Sequence, residues 1–432
     1  MKAVLKKIIP AGWLSVYHKS LAMLGSVVYG HPSRKMIVVG ITGTKGKSTT
    51  ANMLWKMLTD AGHTVGLTGT INIRIGAEDH LNTSKMSMVG RFQMQKLLRQ
   101  MVKAGCDVAI IETTSEGIAQ WRHIGIHYDV CAFTNLTPEH IDSHGSFENY
   151  KKAKLELFHH LASLPRKVIN GKEIVLASVG NNDSEHVQDF LSIGDHVKKT
   201  VGSGDADISY SNVEESLTGT LFEVDGLPAY IPLLGKWNVS NAVLAMGIGS
   251  MFELSSEQMV ASLRTMDPVP GRMEFIDEGQ PFFVIVDYAH EPTSLRLLFE
   301  FCRKRIESDK RIITLSSSTG GGRDVSRRFK NGQLAGELCD LVVVTDEDPY
   351  DDDPQEIINE VAKGVLDSGK VEGENFWKVL DRREGIAKAI SLAREGDVVL
   401  IPSKGAEQKM VVAGGRHIDW DDRQVVRDII RK

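Results

Sequence analysis

A glycine-rich turn between an apolar strand and a helix constrains this chain more than any other stretch. Residues 36–41 are predicted to form the strand, and a helical stripe of apolar residues follows, ending before Gly62. The turn is Thr42-Gly43-Thr44-Lys45-Gly46-Lys47-Ser48-Thr49. Backbone N–H groups and a helix N-terminus bind anions in such a turn, Lys47 can reach the β- and γ-phosphates of a nucleotide, and the Ser48 hydroxyl can ligate Mg²⁺. The turn therefore predicts a phosphate loop that binds ATP.

One position departs from the common form of this motif. Ile41 stands where a glycine is usual, with Gly40 and Gly43 on either side. The motif alone is therefore only moderately specific, and the alternative is a glycine-rich turn that holds no ligand. The predicted strand before the turn and the predicted helix after it supply the context that a phosphate loop needs, so we favour the functional interpretation.

The composition is that of a globular protein that acts on small molecules. The 432 residues predict two or three domains, and charged residues (25%) and apolar residues (42%) occur in ordinary proportions. The net charge of −5 provides no basic surface for nucleic acid. The four cysteines form no Cys-x-x-Cys pair, which argues against a structural zinc site or a disulfide framework. Because no apolar run is long enough to span a membrane and no cleavable signal is evident, we expect a cytoplasmic protein.

The order of predicted strands and helices indicates an α/β fold in three parts. Residues 1–35 predict an amphipathic helical extension that packs on the body of the protein, with a membrane-surface position as the alternative. Residues 36–268 predict a central ATP-binding domain with a mostly parallel sheet, to which 208–231 add a small antiparallel portion. Two prolines and a glycine mark a boundary, and 269–432 predict a Rossmann-like, doubly wound C-terminal domain.

Polar side chains follow two of the predicted buried strands. Residues 108–111 form a strand that delivers Glu112, and residues 130–133 lead to Thr134-Asn135. Ligands of open α/β sheets bind at this edge, and a carboxylate beside a triphosphate most economically holds Mg²⁺. His140 follows shortly after and could face the same loop. Taken alone, each of these residues is more often a solvated or helix-capping residue.

The complete set of motifs is far more specific than any of its members. They follow one another from about residue 37 to the C-terminus at 42–48, 112–117, 135–145, 150–158, 234–241, 271–274, 287–292, 381–384 and 421–423. By this set the chain resembles the Mur ligase family. It is most similar to the UDP-N-acetylmuramoyl-tripeptide synthetase branch, which adds the third residue of the peptidoglycan stem peptide.

The resemblance implies an ATP-dependent acid–amino-acid ligase of peptidoglycan precursor synthesis. In the family, the γ-phosphate is transferred to a substrate carboxylate, and the amine of an amino acid attacks the acyl phosphate to give an amide, ADP and phosphate. A carboxylate is a poor electrophile until one oxygen becomes a good leaving group, and two negatively charged reactants need cations between them. The implied partners are a small-molecule or peptide acceptor and an amino acid, without nucleic acid and without a membrane span.

The resemblance also assigns metal-binding and catalytic residues. Ser48 and Glu112 would hold Mg²⁺ on the β- and γ-phosphates, and Lys47 would neutralise charge on the transferring group. Glu112, His140 and Lys154 would hold a second Mg²⁺. An ammonium cannot ligate a cation, but in the family the equivalent lysine is carbamylated by CO₂ and becomes an anion. Taken alone, Lys154 would be interpreted as part of a solvated, lysine-rich helix face.

Further residues match the nucleotide and acceptor contacts of the family. Asn238 and Asn241 match asparagines on the adenine side, although an Asn pair at this spacing can also cap a helix. The hinge and C-terminal residues near the nucleotide and its phosphates are matched by Arg272, Asp287, Tyr288 and His290. Residues that would contact the peptide or muramoyl portion of the acceptor are matched by Thr83, Ser84, Thr114, Ser115, Gln120 and Arg122.

Several positions depart from the pattern of the branch. Only about 35 residues precede the first strand, less than an ordinary domain, so a dedicated uridine-binding domain is not expected. Acceptor recognition would then depend weakly on UDP or use the N-terminal helix or a partner protein. Glu116 and Ala406 stand where the branch has histidines, and Lys85 stands where a proline is usual. We also expect the two large domains to move about a hinge near residues 268–271.

The pocket for the incoming amino acid is predicted from a changed loop. Where the branch that adds meso-diaminopimelate carries Asp-Asn-Pro-Arg, residues 345–350 lack the arginine that pairs with the distal carboxylate. Asp348 would repel that carboxylate, and Glu407 remains at the position that meets the distal ammonium. An acidic pocket predicts a diamino acid with one carboxylate, such as L-lysine or L-ornithine. The alternative is a solvated acidic loop in which only Tyr350 shapes the pocket.

Two other functions stay open. A folylpolyglutamate-synthase-like ligase has a similar length and also lacks the uridine-binding domain, but residues 287–290 and 422–423 favour the muramoyl branch. A catalytically silent ATP-binding subunit or scaffold belongs to a different class, and Lys47, Glu112 and Lys154 argue against it together with His140. ADP release that requires both an acceptor and an amino acid would distinguish these functions.

Overall fold

A computed structural model describes residues 11–82, 86–137, 144–216, 219–322 and 325–432, with side chains described from Val16 onward. The chain divides into two compact units, one ending at Met266 and one beginning at Asp267. The predicted site residues Thr83, Ser84 and His140 lie outside the described residues.

An eleven-stranded sheet forms the body of the first unit. The strands of this unit are β1 (Ile37–Thr42), β2 (Val65–Thr68), β3 (Asn72–Ile75), β4 (Glu78–Leu81), β5 (Val108–Glu112), β6 (Val130–Phe133), β7 (Val168–Ile169), β8 (Lys172–Glu173), β9 (Ala177–Asn181), β10 (Val197–Gly202), β11 (Ile208–Glu215), β12 (Thr220–Val224) and β13 (Leu227–Ile231). The sheet order is β13-β12-β11-β10-β9-β6-β1-β5-β2-β3-β4, while β7 and β8 pair separately.

The helices of the first unit accompany this sheet. They are α1 (Ala11–Val28), α2 (Lys47–Asp60), α3 (Arg91–Lys103), α4 (Ser115–Ala119), α5 (Phe147–Ala162), α6 (Val187–Leu191), α7 (Lys236–Gly249) and α8 (Ser256–Arg264). The predicted N-terminal helix is α1, and it packs on α3. Among the residues described, no helix is both long and apolar enough to cross a membrane.

The centre of the sheet is parallel and its two edges are antiparallel. The neighbouring strands in the order β11-β10-β9-β6-β1-β5-β2 all pair in parallel. Antiparallel strands extend the two edges, β3 and β4 beyond β2 and β12 and β13 beyond β11. The mostly parallel sheet and the antiparallel addition over 208–231 are therefore confirmed. The central strands are buried on both faces and read as continuous apolar runs, as parallel strands do.

The strand register brings the candidate site residues to one edge. Ile41 of β1 lies opposite Glu112 of β5, and Thr42 lies opposite Phe133 of β6. Gly40 is required within β1 because a Cβ there would lie 2.7 Å from the Tyr128 ring, which packs on the sheet. The carboxyl ends of three adjacent strands therefore meet where the phosphate loop begins.

The second unit contains a six-stranded sheet covered by helices. Its strands are β14 (Glu274–Ile276), β15 (Phe283–Val286), β16 (Ile312–Ser316), β17 (Leu341–Val344), β18 (Phe376–Lys378), β19 (Val398–Ile401), β20 (Lys409–Val412) and β21 (Arg416–Asp419). Its helices are α9 (Pro292–Arg303), α10 (Val325–Leu338), α11 (Pro354–Asp367), α12 (Arg382–Ser391) and α13 (Asp422–Ile430).

The order of the second sheet is β14-β15-β19-β16-β17-β18, with only β14 antiparallel. The predicted doubly wound domain with a mostly parallel sheet is therefore confirmed. Strands β14 and β18 and the β20–β21 hairpin are additional to the four buried strands that the sequence predicts. They are short and carry exposed or polar residues, so they lack the continuous apolar run that identifies a buried strand.

Two of the matched sequence stretches hold the second unit together. Arg382, at the start of α12, makes a fork with Asp422 at the start of α13, with Nη2–Oδ2 at 2.7 Å and Nε–Oδ1 at 2.8 Å. Both side chains are fully buried, so either one alone would leave an uncompensated charge in the interior. Glu274 accepts from the Gly271 N–H at 2.8 Å and from Arg427 at 3.0 Å. These residues serve the packing of the second unit.

Candidate active site

The phosphate loop is shaped by two glycines with positive φ. Gly43 has φ 146° and Gly46 has φ 85°. A Cβ on Gly43 would lie 1.9 Å from Thr134 Oγ1, and one on Gly46 would lie 2.1 Å from Asn241 Oδ1. Only glycine fits at both positions, and the side chains of Thr134 and Asn241 are packed directly against the loop. Helix α2 begins at Lys47, so its first N–H groups follow the loop directly.

The end of strand β6 fixes the backbone of the loop. The Lys45 N–H donates to Asn135 Oδ1 at 2.9 Å, and the Thr134 hydroxyl donates to the Lys45 carbonyl at 2.7 Å. The Thr44 N–H donates to the Asn135 carbonyl at 2.8 Å. The loop therefore holds its shape through protein contacts, which reduces the ordering that a ligand would have to impose.

Glu112 is a fully buried carboxylate beside the loop. Its Oε2 accepts from the Ser48 hydroxyl at 3.0 Å and from the Thr70 hydroxyl at 3.0 Å, and its Oε1 accepts from the Thr70 N–H at 3.1 Å. Gly69 is so close that a Cβ would lie 2.1 Å from Oε1. The sequence predicted Glu112 and Ser48 but missed Thr70, which orients the carboxylate.

Two lysine side chains converge on one carbonyl of the loop. Lys47 Nζ donates to the carbonyls of Gly43 and Thr44, each at 2.8 Å. Lys154 reaches the same Gly43 carbonyl from helix α5, at 2.7 Å, and its side chain is buried. Its Nζ also lies 4.5 Å from the centre of the Tyr150 ring. Because both ammonium groups contact one oxygen, positive charge is concentrated where a phosphate loop meets its anion.

The described donors suit Mg²⁺ rather than a metal held in a protein cage. Across the parts of the chain that the structure describes, no three His, Cys, Asp or Glu side chains form a metal-binding group. Mg²⁺ commonly uses one or two carboxylates together with substrate phosphates and waters. The Ser48 hydroxyl and the Glu112 carboxylate, 3.0 Å apart, are hard oxygen donors of the type this ion prefers. The predicted ligand His140 lies outside the described residues.

The predicted adenine-side asparagines occupy the first turns of helix α7. Asn238 Nδ2 donates to the Leu234 carbonyl at 2.8 Å, and Asn238 Oδ1 accepts from Asn241 Nδ2 at 3.0 Å. Asn238 therefore ties the helix to the preceding turn. Asn241 lies between Asn238 and Gly46 of the phosphate loop, so the pair connects α7 to the loop.

Two of the predicted acceptor residues lie at the start of helix α4. Thr114 Oγ1 accepts from the Gly117 N–H at 3.1 Å and so caps this helix. The Ser115 hydroxyl lies 3.1 Å from His144 Nε2. Thr114 thus has a local structural role, while Ser115 is joined to the end of the segment that contains His140.

The other two predicted acceptor residues form a polar cluster with an arginine that the sequence did not indicate. Gln120 Oε1 accepts from Arg122 at 2.7 Å, and Arg91 of helix α3 donates to the Gln120 carbonyl. Burial lowers the pKa of both guanidinium groups, and the charge of Arg122 lowers the pKa of Arg91 further. Two guanidinium groups held this closely suit a carboxylate or a phosphate.

Three of the predicted nucleotide-side residues of the second unit lie in the turn after strand β15, and Arg272, which precedes β14, lies beside them. Asp287 accepts from the Met273 N–H at 2.7 Å and from the Ala289 N–H at 2.8 Å, and burial raises its pKa although Arg272 opposes the shift. The Arg272 guanidinium lies 4.5 Å from the centre of the Tyr288 ring. His290 Nδ1 lies 2.8 Å from the Tyr288 carbonyl. The structure thus brings Arg272, Asp287, Tyr288 and His290 together within this unit.

The predicted acidic pocket contains a buried lysine, which makes the net charge of the pocket less negative. Lys404 Nζ lies 3.0 Å from Asp348 Oδ1 and 2.9 Å from Glu407 Oε2, and Asp348 Oδ1 also accepts from the Val411 N–H at 2.8 Å. Asp348 is therefore paired with a cation, and its repulsion of a carboxylate stays a prediction that depends on the other acidic groups nearby. Burial alone would lower the pKa of Lys404, but Glu407 and Asp348 outweigh it and raise the pKa.

The pocket retains an excess of acidic groups around this lysine. Glu347 is buried and accepts from the Ser317 hydroxyl at 2.9 Å. Burial raises the pKa of Glu347, and Lys404 lowers it. Tyr350 adopts a positive φ of 53°, and its N–H donates to the Val411 carbonyl at 3.1 Å. Tyr350 and Asp348 are therefore both tied to Val411 of the β20 strand, whereas Asp351 and Asp353 farther along the acidic run are exposed.

Three residues of these clusters carried little signal in the sequence. Thr70 follows strand β2, Arg91 is the first residue of α3, and Lys404 follows strand β19. Position just after a buried parallel strand is the one signal that could have identified Thr70 and Lys404. Arg91 has no such signal, because its partner Gln120 becomes its neighbour only through the packing of α3.

The family models match most of both units. The model described as Mur ligase middle domain matches residues 41–249, and the model described as Mur ligase, glutamate ligase domain matches residues 271–405. The two matched regions contain the phosphate loop, Glu112 and Lys154 in the first unit and the 287–290 turn in the second.

Curated relatives are similar over nearly the whole chain. A protein named UDP-N-acetylmuramyl-tripeptide synthetase from Roseiflexus sp. (strain RS-1) is 36% identical, covering 94% of this chain and 81% of its own length. A Bacillus licheniformis protein named UDP-N-acetylmuramoyl-L-alanyl-D-glutamate--2,6-diaminopimelate ligase is 33% identical, covering 95% and 82%. A solved structure bearing the same ligase name has a TM-score of 0.62 at 24% identity, covering 92% of this chain and 78% of that one.

Proposed function

The chain belongs to the Mur ligase family of ATP-dependent acid–amino-acid ligases, and on this premise we propose that it joins an amino acid to a carboxylate of a peptidoglycan-precursor-like acceptor through an acyl phosphate. The observation that supports this most directly is the convergence of Lys47 and Lys154 on the Gly43 carbonyl, beside the Ser48–Glu112 pair. These four side chains gather cations and hard oxygen donors where a triphosphate would meet a carboxylate.

The proposal divides the chain into an N-terminal helical extension at 1–35, a central ATP-binding domain at 36–268 and a C-terminal domain at 269–432. The phosphate loop residues Gly43, Thr44, Lys45, Gly46, Lys47, Ser48 and Thr49 would bind the triphosphate through backbone N–H groups and the N-terminus of α2. Asn238 and Asn241 would contact the adenine side. We place the protein in the cytoplasm, as family membership suggests.

Ser48 and Glu112 would hold Mg²⁺. When bound, the ion would neutralise charge on the β- and γ-phosphates and so favour transfer of the terminal phosphoryl group. Thr70 keeps the Glu112 carboxylate oriented by two hydrogen bonds. Lys47 would release the Gly43 and Thr44 carbonyls and turn to the γ-phosphate, which offers a stronger, charge-assisted hydrogen bond.

Lys154 would act as a carbamate. Its neutral amine would attack CO₂, forming an N–C bond and releasing one proton, and the resulting anion would help Glu112 and His140 to position a second Mg²⁺. The support is electrostatic: a second ammonium at the Gly43 carbonyl adds to the like charge of Lys47, whereas a carbamate there would attract it.

The acceptor and the amino acid would bind to separate groups of residues. Arg91 and Arg122, with Gln120 and Ser115, would contact an anionic part of the acceptor together with Thr83, Ser84 and Thr114. In the second unit, Arg272, Asp287, Tyr288 and His290 would serve the nucleotide, and Asp348, Tyr350 and Glu407 would meet the incoming amino acid.

The amino acid would be a diamino acid with one carboxylate, such as L-lysine or L-ornithine. Three carboxylates, those of Glu347, Asp348 and Glu407, lie near the Lys404 ammonium, and Arg382 also acts on Glu347. The excess negative charge would attract a distal ammonium, and the arginine that would pair with a distal carboxylate is missing from 345–350. The Bacillus licheniformis relative is named for 2,6-diaminopimelate, so a competition experiment is the appropriate test.

A matrix of acceptors and amino acids tests the proposed function. UDP-linked and UDP-free muramoyl dipeptides would be combined with L-lysine, L-ornithine or meso-diaminopimelate, together with a folate acceptor paired with glutamate. ADP release and product mass would be measured with Mg²⁺ present and with Mg²⁺ removed by a chelator. We expect ADP release only when Mg²⁺, a muramoyl acceptor and a diamino acid are all present. Product from the folate pair alone, or preferential use of meso-diaminopimelate, would contradict the acceptor class or the amino-acid choice, respectively.

A further inference from the structure

Three small residues of helix α1 face the protein. Ala22, Gly25 and Ser26 are buried, and they allow close backbone approach. A Cβ on Gly25 would lie 3.5 Å from Gln95 Cγ of helix α3. On the same side, a Cβ on Gly125 would lie 2.9 Å from the Ala22 carbonyl. The packing of this helix on the first unit therefore uses its smallest side chains.

Six large apolar residues in the described part of α1 point to solvent. They are between 51% and 63% exposed: Val16, Tyr17, Met23, Leu24, Val27 and Val28. At 3.6 residues per turn they fall within one arc of about 140°, in which Ser20 is the polar residue. We call these six residues the outer face. An ordinary surface helix directs its apolar stripe to the core, so the orientation of α1 is the reverse of the usual one.

The neighbouring helix also exposes an aromatic residue. Phe92 of helix α3 is 37% exposed, and its ring lies 3.7 Å from the position of a Cβ on Gly25. The exposed Lys96 follows one helical turn after Phe92. The six residues of the outer face lie together on one helix, unlike the isolated exposed apolar residues that are normal on proteins, and such patches mark interaction sites.

The N-terminal sequence carries charge of one sign. No Asp or Glu precedes Asp60, although the whole chain has a net charge of −5. The basic residues among the first 35 are Lys2, Lys6, Lys7, Lys19, Arg34 and Lys35. Lys19, Arg34 and Lys35 are exposed. A cationic segment that contains an exposed apolar helix is complementary to a surface with anionic headgroups above an apolar layer.

We propose that the outer face of α1 docks the first unit onto an anionic lipid bilayer. The helix would lie in the plane of the interface, with the outer face at the boundary between headgroups and acyl chains and the basic residues among the headgroups. No described helix could cross a bilayer, which fits a helix that lies on the membrane. The proposal does not depend on the chemistry at the phosphate loop. A protein partner would account for the apolar face but not for the absence of acidic residues from the first 59 positions of the sequence.

Vesicle sedimentation with the full chain tests this proposal. Vesicles of phosphatidylcholine would be compared with vesicles of equal parts phosphatidylcholine and phosphatidylglycerol. The outer-face variant carries Met23→Ser, Leu24→Ser and Val27→Ser. The matched control carries Val168→Ser, Leu221→Ser and Leu297→Ser, which remove residues 68%, 52% and 52% exposed elsewhere. Thermal unfolding of both variants would verify that each is folded.

We expect wild type and control to bind the anionic vesicles. The outer-face variant should bind them at least about tenfold more weakly. Binding should fall strongly in about 0.5 M NaCl, because salt screens the attraction to the headgroups. Replacing Lys2, Lys6 and Lys7 by Gln should weaken binding to anionic vesicles by a similar factor. Absence of binding to anionic vesicles at low salt, or equal binding by the outer-face variant, would overturn the proposal. A dimer that the outer-face variant abolishes, without vesicle binding, would assign the face to a second copy of the chain and also overturn it.

Discussion

One lysine cluster in each unit holds its positive charge in a different way. In the second unit, one lysine, Lys404, lies between two carboxylates, Asp348 and Glu407, at 3.0 and 2.9 Å. In the first unit, two lysines, Lys47 and Lys154, donate to one carbonyl oxygen of Gly43, at 2.8 and 2.7 Å. A cation between two anions is stabilised by the protein itself. Two cations gathered on one oxygen concentrate positive charge at the phosphate loop, where the anion of a ligand would bind.

The largest loss of activity is expected when one of the two convergent lysines, Lys47, is replaced. Lys47→Ala should abolish detectable ADP release, a loss of about 10³-fold or more, because the transferring phosphoryl group loses its neutralising charge. The melting temperature should stay near that of wild type, since the partly exposed ammonium donates to loop carbonyls and is not part of the apolar core. Lys56→Ala on the same helix removes a partly exposed lysine paired with Asp60 and serves as control. Wild-type turnover by Lys47→Ala would show that the assigned site is wrong.

The second prediction concerns the other convergent lysine. Lys154→Ala should lower turnover by about 10²-fold or more, because the proposed carbamate would no longer position the metal. Acetate or formate should restore part of the activity of this variant by supplying a carboxylate in the vacated space. Lys152→Ala, at an exposed position of the same helix, should keep wild-type activity and should not respond to either anion. Full activity of Lys154→Ala without added carboxylate would refute the assigned role.

The third prediction concerns the stability of the second unit when its buried lysine, Lys404, is replaced. Lys404→Ala leaves Asp348, Glu407 and the buried Glu347 without their shared cation, and breaking a buried ion pair in this way costs about 3–5 kcal/mol of unfolding free energy. Denaturant unfolding at pH 7 would measure the loss. Lys363→Ala, at an exposed position of α11, should change stability by less than about 0.5 kcal/mol. A loss no larger than that of the control would show that Lys404 is not held as described.

The fourth prediction, with the smallest expected effect, concerns a buried histidine and the pH dependence of stability. His123 is fully buried, and among the described residues neither ring nitrogen has a hydrogen-bond partner. Burial, followed by the charges of His160 and Lys19, lowers the pKa of His123 to about 3. The unfolded chain gains this proton as pH falls below about 6.5, whereas the folded protein does not, so stability is lost as pH falls toward the folded pKa.

Between pH 7 and pH 5 this single group should lower the unfolding free energy by about 2 kcal/mol. His123→Phe keeps an aromatic ring against Trp121 and His160 and should remove that part of the pH dependence. His80→Phe changes an exposed histidine and should leave the pH dependence as in wild type. If His123→Phe has the same pH profile as wild type, His123 is not held neutral by the fold.

The fold could be predicted from the sequence wherever strands are buried on both faces. Strands such as β1 and β5 are continuous apolar runs followed by turn residues, and that pattern does not depend on distant partners. Strands β14 and β18 and the β20–β21 hairpin gave no such pattern, because each is short and only partly buried. Their pairing depends on neighbours that are distant in sequence.

The candidate site could be predicted only in part, for a related reason. The phosphate loop and Glu112 are local signals, a glycine pattern and the end of a strand. The charge of the amino-acid pocket is not local, because Lys404 is 56 residues from Asp348 along the chain. The clustering of Arg91 with Gln120 likewise depends on packing between helices, which a pattern of residue types does not encode. Roles that depend on such pairs become visible only in three dimensions.

A carbamate on Lys154, as proposed above, would replace one of the two positive charges at the Gly43 carbonyl by a negative charge. The most direct measurement is ¹³C NMR of the active protein equilibrated with ¹³C-labelled bicarbonate and Mg²⁺-ATP. We expect a carbamate resonance in wild type and in Lys152→Ala. This resonance should be missing from Lys154→Ala. A fully active wild-type protein without this resonance, or a resonance that persists in Lys154→Ala, would contradict it.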